Sequence, residues 1–427
     1  MARSSDPVIE QKIGQAWAFT FDRLMHPATD QIYDYRTGEG PDGAWRHLAA
    51  PAEIAASVPN PCGWYAGMEN TDINGGVMLD GLLCRYSLTK DGELIPFARR
   101  LYRGLMRNAQ VSAQEGFLAR GVLPSDGKTH YINSSRDQYT HWICAMLRYF
   151  RSPLCTDEQK KEIAAALCAF ARKAERDVTA ENEWCLLRED GRPALVCEML
   201  GKGVAWHESN RLPMIYMAAY AASGDAHWKE AYLALREQTL AFAEEIRFDT
   251  GFFKNAFALL QMQLSLRLLY DCEEDEPYRA RYLRLMRRVT AGAEQYPPQA
   301  LDYLSEHQMP RFLPSWRNCP ADFVRDAGVS HGLAVIRPNV WRAGAGAGWW
   351  MLHNVADAIL AQAYCPGRRV AQSQIDLFMR AVRLTDFENA FSDHPVAFCA
   401  AYYALAANEA SQNDPSNGGA VEDTKSI

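Results

Sequence analysis

Apolar residues recur at helical spacing along most of the chain. Ile9, Ile13, Trp17, Phe21 and Leu24 share one face, which predicts a helix over 8–25. The same pattern predicts helices over 72–89, 94–111, 136–150, 157–177, 208–222, 227–246, 252–270, 276–293, 349–364, 371–382 and 396–407. Period-two alternation is almost absent, so strands are not expected. The links between helices alternate in kind. Short ones, near Asp91, Pro153, Gly224, Asp275 and Pro366, join the helices of a pair. Long ones, over 27–71, 115–135, 179–207 and 296–348, separate the pairs, with shorter separators at 249–251 and 384–394.

The first and last helices lack a hairpin partner. If they pair with each other, six hairpins close into a ring. The predicted fold is therefore all-α: an (α/α)6 barrel, a six-hairpin toroid in which the N-terminal helix pairs with the C-terminal one. Polarity separates its layers. The helices at Thr156, His227, Tyr278 and Ala371 are amphipathic and charged, as an outer ring requires. Those around Ile143, Leu212, Phe257 and Val396 are apolar nearly all round, as an inner ring requires. The alternation then puts the long links over the N-termini of the inner helices. Residues 1–409 are expected to form this one domain, followed by a disordered polar tail over 410–427.

Composition narrows the function. The 427 residues are 48% hydrophobic, ample for a large core. The net charge of −7 and the lack of a basic run argue against a nucleic-acid partner. The 11 cysteines form no C-x-x-C pair and read as reduced core residues, with no metal site and no cofactor implied. No segment is long and apolar enough to span a membrane, and residues 1–6 carry no signal region, so a cytoplasmic location is expected.

Chemistry concentrates at the predicted inner-helix starts. Asp137 and His141 are four residues apart and share one helical face, with Arg136, Gln138 and Tyr139 beside them. The alternative for this segment is a capping box begun by Ser134. Glu69, Asn70 and Asp72 begin another inner helix, after a Gly- and aromatic-rich stretch that includes Trp64. Trp206, His207, Glu208, Asn210 and Arg211 begin a third. Phe252, Phe253, Lys254 and Asn255 begin a fourth, Trp349, Trp350, His353 and Asn354 a fifth, and Asp393 and His394 a sixth. Aromatic platforms mixed with carboxylates, amides and cations suit a carbohydrate. Hydrolysis of a glycosidic bond needs two carboxyl groups. Asp137 is the candidate acid, with Glu69, Asp72 and Glu208 competing for the second role. His141 or His207 as base, with Tyr139 as acid, would instead serve a lyase or an epimerase. Cations in the long links, Arg120, Lys128, Arg136, Arg211, Lys254, Arg311, Arg317 and Arg342, point to an anionic, uronic-acid-containing substrate.

With these residues in place the chain resembles the six-hairpin carbohydrate-active enzymes, most closely the unsaturated glucuronyl and rhamnogalacturonyl hydrolases. The resemblance implies glycoside hydrolysis, with an Asp at an inner-helix N-terminus as proton donor. Asp137, in Arg136-Asp137-Gln138-Tyr139, stands in that context, and Asp72 matches the second Asp. The 296–348 insertion and the His207–Glu208 pair depart from the pattern and leave a polysaccharide lyase of the same toroid open. An N-acylglucosamine-epimerase-like enzyme shares this length and fold, but its paired-histidine signature is not found. A non-catalytic glycan-binding protein is the remaining alternative.

Overall fold

The computed structural model describes residues 6–248, 255–325 and 334–413. Its principal helices, in chain order, are α1 (Pro7–Phe19), α2 (Thr71–Thr89), α3 (Ile95–Gln110), α4 (Arg136–Arg151), α5 (Asp157–Asp177), α6 (Arg211–Ser223), α7 (Ala226–Glu244), α8 (Phe257–Cys272), α9 (Glu276–Ala293), α10 (Gly348–Ala363), α11 (Gln372–Leu384) and α12 (His394–Gln412). The even-numbered helices form the inner ring. Each packs on the next, α2 on α4, α4 on α6, α6 on α8, α8 on α10 and α10 on α12, and α12 closes on α2. The odd-numbered helices lie outside, and α1 packs on α12 and α11, so the two ends of the chain do pair. This is the expected (α/α)6 barrel.

The two layers differ as their sequences require. In α3, Ala98, Leu101, Tyr102, Leu105 and Met106 are buried while Arg99 and Arg103 face outward. In α2 every residue from Val77 to Cys84 is buried, Asp80 included, because helices flank it on all sides. Small residues allow that crowding. A Cβ on Gly76 would come within 2.8 Å of the His141 carbonyl oxygen in α4, and one on Gly81 within 2.6 Å of the Ala400 Cα in α12. Helix ends follow local chemistry. Thr156 and Gln159 form a capping box at α5, and α6 stops at Gly224, whose φ of 73° favours a residue without a Cβ.

The long links hold more structure than their composition suggests. The 179–207 link contains an antiparallel hairpin, β1 (Cys185–Leu187) with β2 (Pro193–Glu198). The 296–348 link, expected to be irregular, holds a helix, Tyr296–Glu306, that packs on α10 and α11. It also holds a second hairpin, β3 (Ala321–Arg325) with β4 (Ala334–Pro338). Each sheet has only two short strands, too few to leave a clear alternation in the sequence. The last helix continues to Gln412, so the first residues of the expected tail are helical, and 414–427 lie outside the described residues. All eleven cysteines are free thiols. Among the described residues no helix is long and apolar enough to cross a membrane.

Candidate functional site

The starts of α2, α4, α8, α10 and α12 line a cavity of about 230 Å³. Ligand pockets commonly hold about 300–1,000 Å³, so this one has room for a single small ring system. Its walls are aromatic: Trp64, Tyr65, Phe257, Trp341, Trp349 and Trp350. Trp341 and Trp349 stack with centroids 4.8 Å apart, and Trp350 meets Trp349 edge-on at 4.4 Å. The polar groups are Glu69, Asn70, Asn74, Arg120, Asp137, His141, Arg337, His353, Asp357 and Asp393.

Two histidines face this cavity in opposite states. His141 is buried, and its Nε2 has no hydrogen-bond partner. Burial pushes its pKa down to about 3, with Arg211 adding to the effect and Asp137 opposing it, so the ring is neutral. Its flat face lies 5.8 Å from Phe257 at an interplanar angle of 10°. His353 is partly buried, and its Nε2 is 3.2 Å from Asp393 Oδ1 and its Nδ1 is 3.6 Å from Asp357 Oδ2. Burial alone would lower its pKa; the two carboxylates outweigh that and raise it to about 10, so it is an imidazolium. Asp393 Oδ1 also accepts the Trp349 indole N–H at 2.8 Å, which fixes the carboxylate against the aromatic wall.

Because the folded His353 pKa lies above its ordinary value of 6.5, its contribution to stability is complete below 6.5 and is lost as pH rises through about 10. Asp357 is itself pushed upward by burial, which offsets part of that gain. A net effect on the order of 1–3 kcal/mol is expected. In Asp393→Asn the indole keeps an acceptor but the imidazolium loses a counter-ion. Thermal melts across this pH window should show the variant losing stability at lower pH than the wild type. Identical profiles would mean that Asp393 does not hold the His353 proton.

The carboxyl groups divide in the same way. Glu69 is pushed well above the usual carboxylate range by burial and by Asp34, against the pull of Arg120. Asp34 comes from the 27–71 link, and its carboxylate accepts the N–H groups of Glu69 (3.0 Å) and Asn70 (3.1 Å), just ahead of α2. Burial and the Asp393 charge raise Asp34 itself to about 7. Asp137 behaves oppositely. Burial would raise it, but Arg211 and then Arg136 hold it below the usual range. Arg211 is 1% exposed and donates to Asp137 Oδ1 and, at 2.6 Å, to Gln261 Oε1.

Of the residues singled out by sequence, the cavity gathers Glu69, Asp137, His141, Trp64, Trp349 and His353, with Asn70, Trp350, Asp393 and Arg120. The others stand apart from it. Asp72 faces the outer layer, fully buried, accepting from Asn108 Nδ2 at 2.8 Å. Glu208 accepts from Arg136 and from the Ala205 N–H (3.0 Å). With Asp137–Arg211, this makes two crossed ion pairs that staple the starts of α4 and α6. His207 packs beside Glu208, its Nε2 3.6 Å from Oε1. Tyr139 points to the outer layer, donating to the Gly116 carbonyl at 2.9 Å and accepting the Leu118 N–H at 3.0 Å. Gln138 donates to the Glu69 carbonyl at 2.9 Å, a step behind the cavity wall. Trp206 and Asn210 precede α6, and Asn255 precedes α8; none of the three lines the cavity. Phe252, Phe253 and Lys254 lie outside the described residues. Ser135, not Ser134, is the N-cap of α4, and neither serine hydroxyl caps the helix, so Asp137 is not part of a capping box.

The cations proposed for an anionic substrate also scatter. Arg136 and Arg211 are spent in the crossed pairs. Arg311 pairs with Glu39, Arg317 with Glu53, and Arg342 lies 4.0 Å from Asp322. Lys128 is exposed on its loop. Residues that sequence reasoning missed are Asp34, Asp357, Arg337, Trp341, Tyr65 and Val196. Asp357 had a usable signal, a carboxylate one helical turn after His353 in an otherwise apolar helix.

No known family profile and no curated protein matches the sequence. Among solved structures the chain is similar to a sugar epimerase from a ruminal bacterium, at 10% identity over 92% of this chain and 97% of that one, with a TM-score of 0.47. It is also similar to the cellobiose 2-epimerase of Spirochaeta thermophila DSM 6192, at 15% identity over 85% of this chain and 99% of that one, with a TM-score of 0.41. At these values neither likeness bears on the chemistry, which rests on the chain's own geometry.

Proposed function

We propose that this chain is a carbohydrate-active enzyme that moves a proton on and off a carbon next to a sugar carbonyl, as a sugar isomerase or epimerase does. The observation that carries this reading is the pair of imidazoles on one cavity, one neutral with a free nitrogen and one protonated between two carboxylates. A neutral imidazole takes a proton, and an imidazolium held between carboxylates offsets a negative charge that develops beside it. His141 Nε2 removes the proton from the carbon beside the carbonyl. The C–H electron pair becomes the carbon–carbon double bond of an enediolate, and the carbonyl oxygen takes the negative charge, which the positive charge of His353 offsets. Return of the proton to the neighbouring carbon, with the hydroxyl proton of the second oxygen passing to the enediolate oxygen, gives the isomer; return to the same carbon after the enediolate has turned its other face to His141 gives the epimer. Asp393 and Asp357 keep His353 charged and oriented.

Aromatic walls fit the C–H faces of a sugar, and the carboxyl and amide groups fit its hydroxyls. The cavity sets four carboxyl groups, Glu69, Asp137, Asp357 and Asp393, against Arg120, Arg337 and His353. Hydrolysis is the second reading, supported by Glu69 and Asp137, whose pKa values are driven apart as an acid and a base require. In that reading the donor is Glu69, because Asp137 is held ionised.

Incubation in D2O with a panel of aldoses and reducing disaccharides separates these readings. Deuterium entering a carbon-bound position, with a second sugar appearing and no chain cleavage, is the expected result. Cleavage with oxygen from labelled water, and no deuterium on carbon, would overturn it in favour of hydrolysis. An ultraviolet-absorbing product without solvent oxygen would indicate a lyase.

A further inference from the structure

The cavity is roofed by three segments drawn from three different long links. They meet in a small second core of Cys62, Trp64, Leu195 and Val335, with Tyr65 and Val196 packed against it. Asn60 Nδ2 ties the first segment to β4 through the Ile336 carbonyl at 2.9 Å, and the Arg337 guanidinium lies 4.1 Å over the Trp64 ring. Within this roof two large residues hold left-handed backbones, Tyr65 at φ 69° and Val196 at φ 56°, and both line the cavity. A β-branched residue there is a steric outlier that persists only where its surroundings over-determine it. Those surroundings are specific. Asn133, fully buried, accepts the Leu195 N–H at 2.8 Å and donates to the Leu195 carbonyl at 3.3 Å, clamping the residue before Val196. Arg136 Nη1 donates to the Glu198 carbonyl at 2.7 Å, anchoring the strand two residues beyond. Strand β2 thus reaches Val196 gripped on both sides, with the isopropyl group as part of the cavity wall.

We infer that Val196 is a specificity-determining residue that closes the roof over an unsubstituted sugar ring and rejects rings carrying an extra substituent on that side. The inference rests on the sugar-binding reading of the cavity and adds to it which part of the wall selects. A glycine at this position would adopt the same backbone without strain while removing the side chain from the wall. Alanine would remove most of the bulk and leave the backbone penalty.

Tryptophan fluorescence of the full chain, titrated with an aldohexose and with its mono-O-methyl ethers, reads the effect, since Trp64, Trp341, Trp349 and Trp350 line the cavity. The wild type should prefer the parent sugar to at least one ether by about 10-fold or more, the range that one extra methylene commands in a fitted pocket. Val196→Gly and Val196→Ala should both narrow that preference to about threefold or less. Sugar binding with an unchanged preference in both folded variants would overturn this inference alone. No sugar binding by the wild type would overturn the proposed function and this inference together.

Discussion

His141→Gln lowers kcat by about 10²- to 10⁴-fold, the usual worth of a positioned acid–base group, while the melting temperature changes by no more than a few degrees. The two halves of this expectation have separate causes. The His141 Nε2 bonds to nothing in the protein, so its removal strands no partner. The ring's chief packing contact is a stacked Phe257, and a planar amide of similar length still covers part of that face. The chemical step, by contrast, loses the one neutral base that the cavity presents. KM should move little, because an imidazole that acts on a C–H bond contributes little to holding the ground state. Steady-state kinetics and a thermal melt on the same preparation check both halves. Under the hydrolytic reading the ranking reverses. Glu69→Gln becomes the variant that abolishes turnover, and His141→Gln is mild. A His141→Gln enzyme retaining more than about a tenth of wild-type kcat is incompatible with the 10²-fold minimum for its role.

The barrel was legible in sequence because two periodicities coincide. Inner helices such as α6 are apolar almost all round, outer helices such as α3 carry an apolar stripe, and short and long links alternate between them. Asp137 and His141 were legible as a pair because helical geometry places residues four apart on one face. The pairing of His141 with His353 was not legible, since one belongs to α4 and the other to α10 and only ring closure brings them to one cavity. Spacing also could not say which carboxylates an arginine on a neighbouring helix would neutralise. Asp137 lies in the first turn of α4 and Glu208 just ahead of α6, yet Glu208 is consumed by Arg136 while Asp137 keeps an open side toward the cavity. Asp34, Val196 and Arg337 come from links with no regular pattern. Their roles are set by the barrel face against which they fold. No local motif links His141 with His353, yet both line the same cavity.

Arg211→Met should be the most destabilising single change near the site. The Arg211 side chain is almost fully buried, and its guanidinium bonds to the Asp137 carboxylate and to Gln261 Oε1. Methionine fills similar space but returns neither bond, so a buried carboxylate and a buried amide oxygen lose their donor. Breaking a buried pair from one side costs about 3–5 kcal/mol. Asp137 keeps 32% of its side chain open toward the cavity, which places the expected loss at the low end, about 3 kcal/mol. The sign of the pH dependence distinguishes this from a packing defect. In the wild type the Asp137 pKa lies below its ordinary 3.8 because Arg211 and Arg136 outweigh burial. Its stabilising contribution is therefore present above 3.8 and lost as pH falls through the folded value. Without Arg211, burial raises that pKa, and the variant avoids an uncompensated charge by taking up a proton. The stability gap between the two proteins should thus be widest near neutrality and should shrink toward acid. Adding Asp137→Asn to Arg211→Met should recover much of the loss, because the orphaned charge is then gone. Urea titrations of the three proteins at neutral and acidic pH decide the matter. A gap that is constant with pH, or a double variant no more stable than the single one, would mean that Arg211 serves packing alone, and that the ionised state of Asp137 has another source.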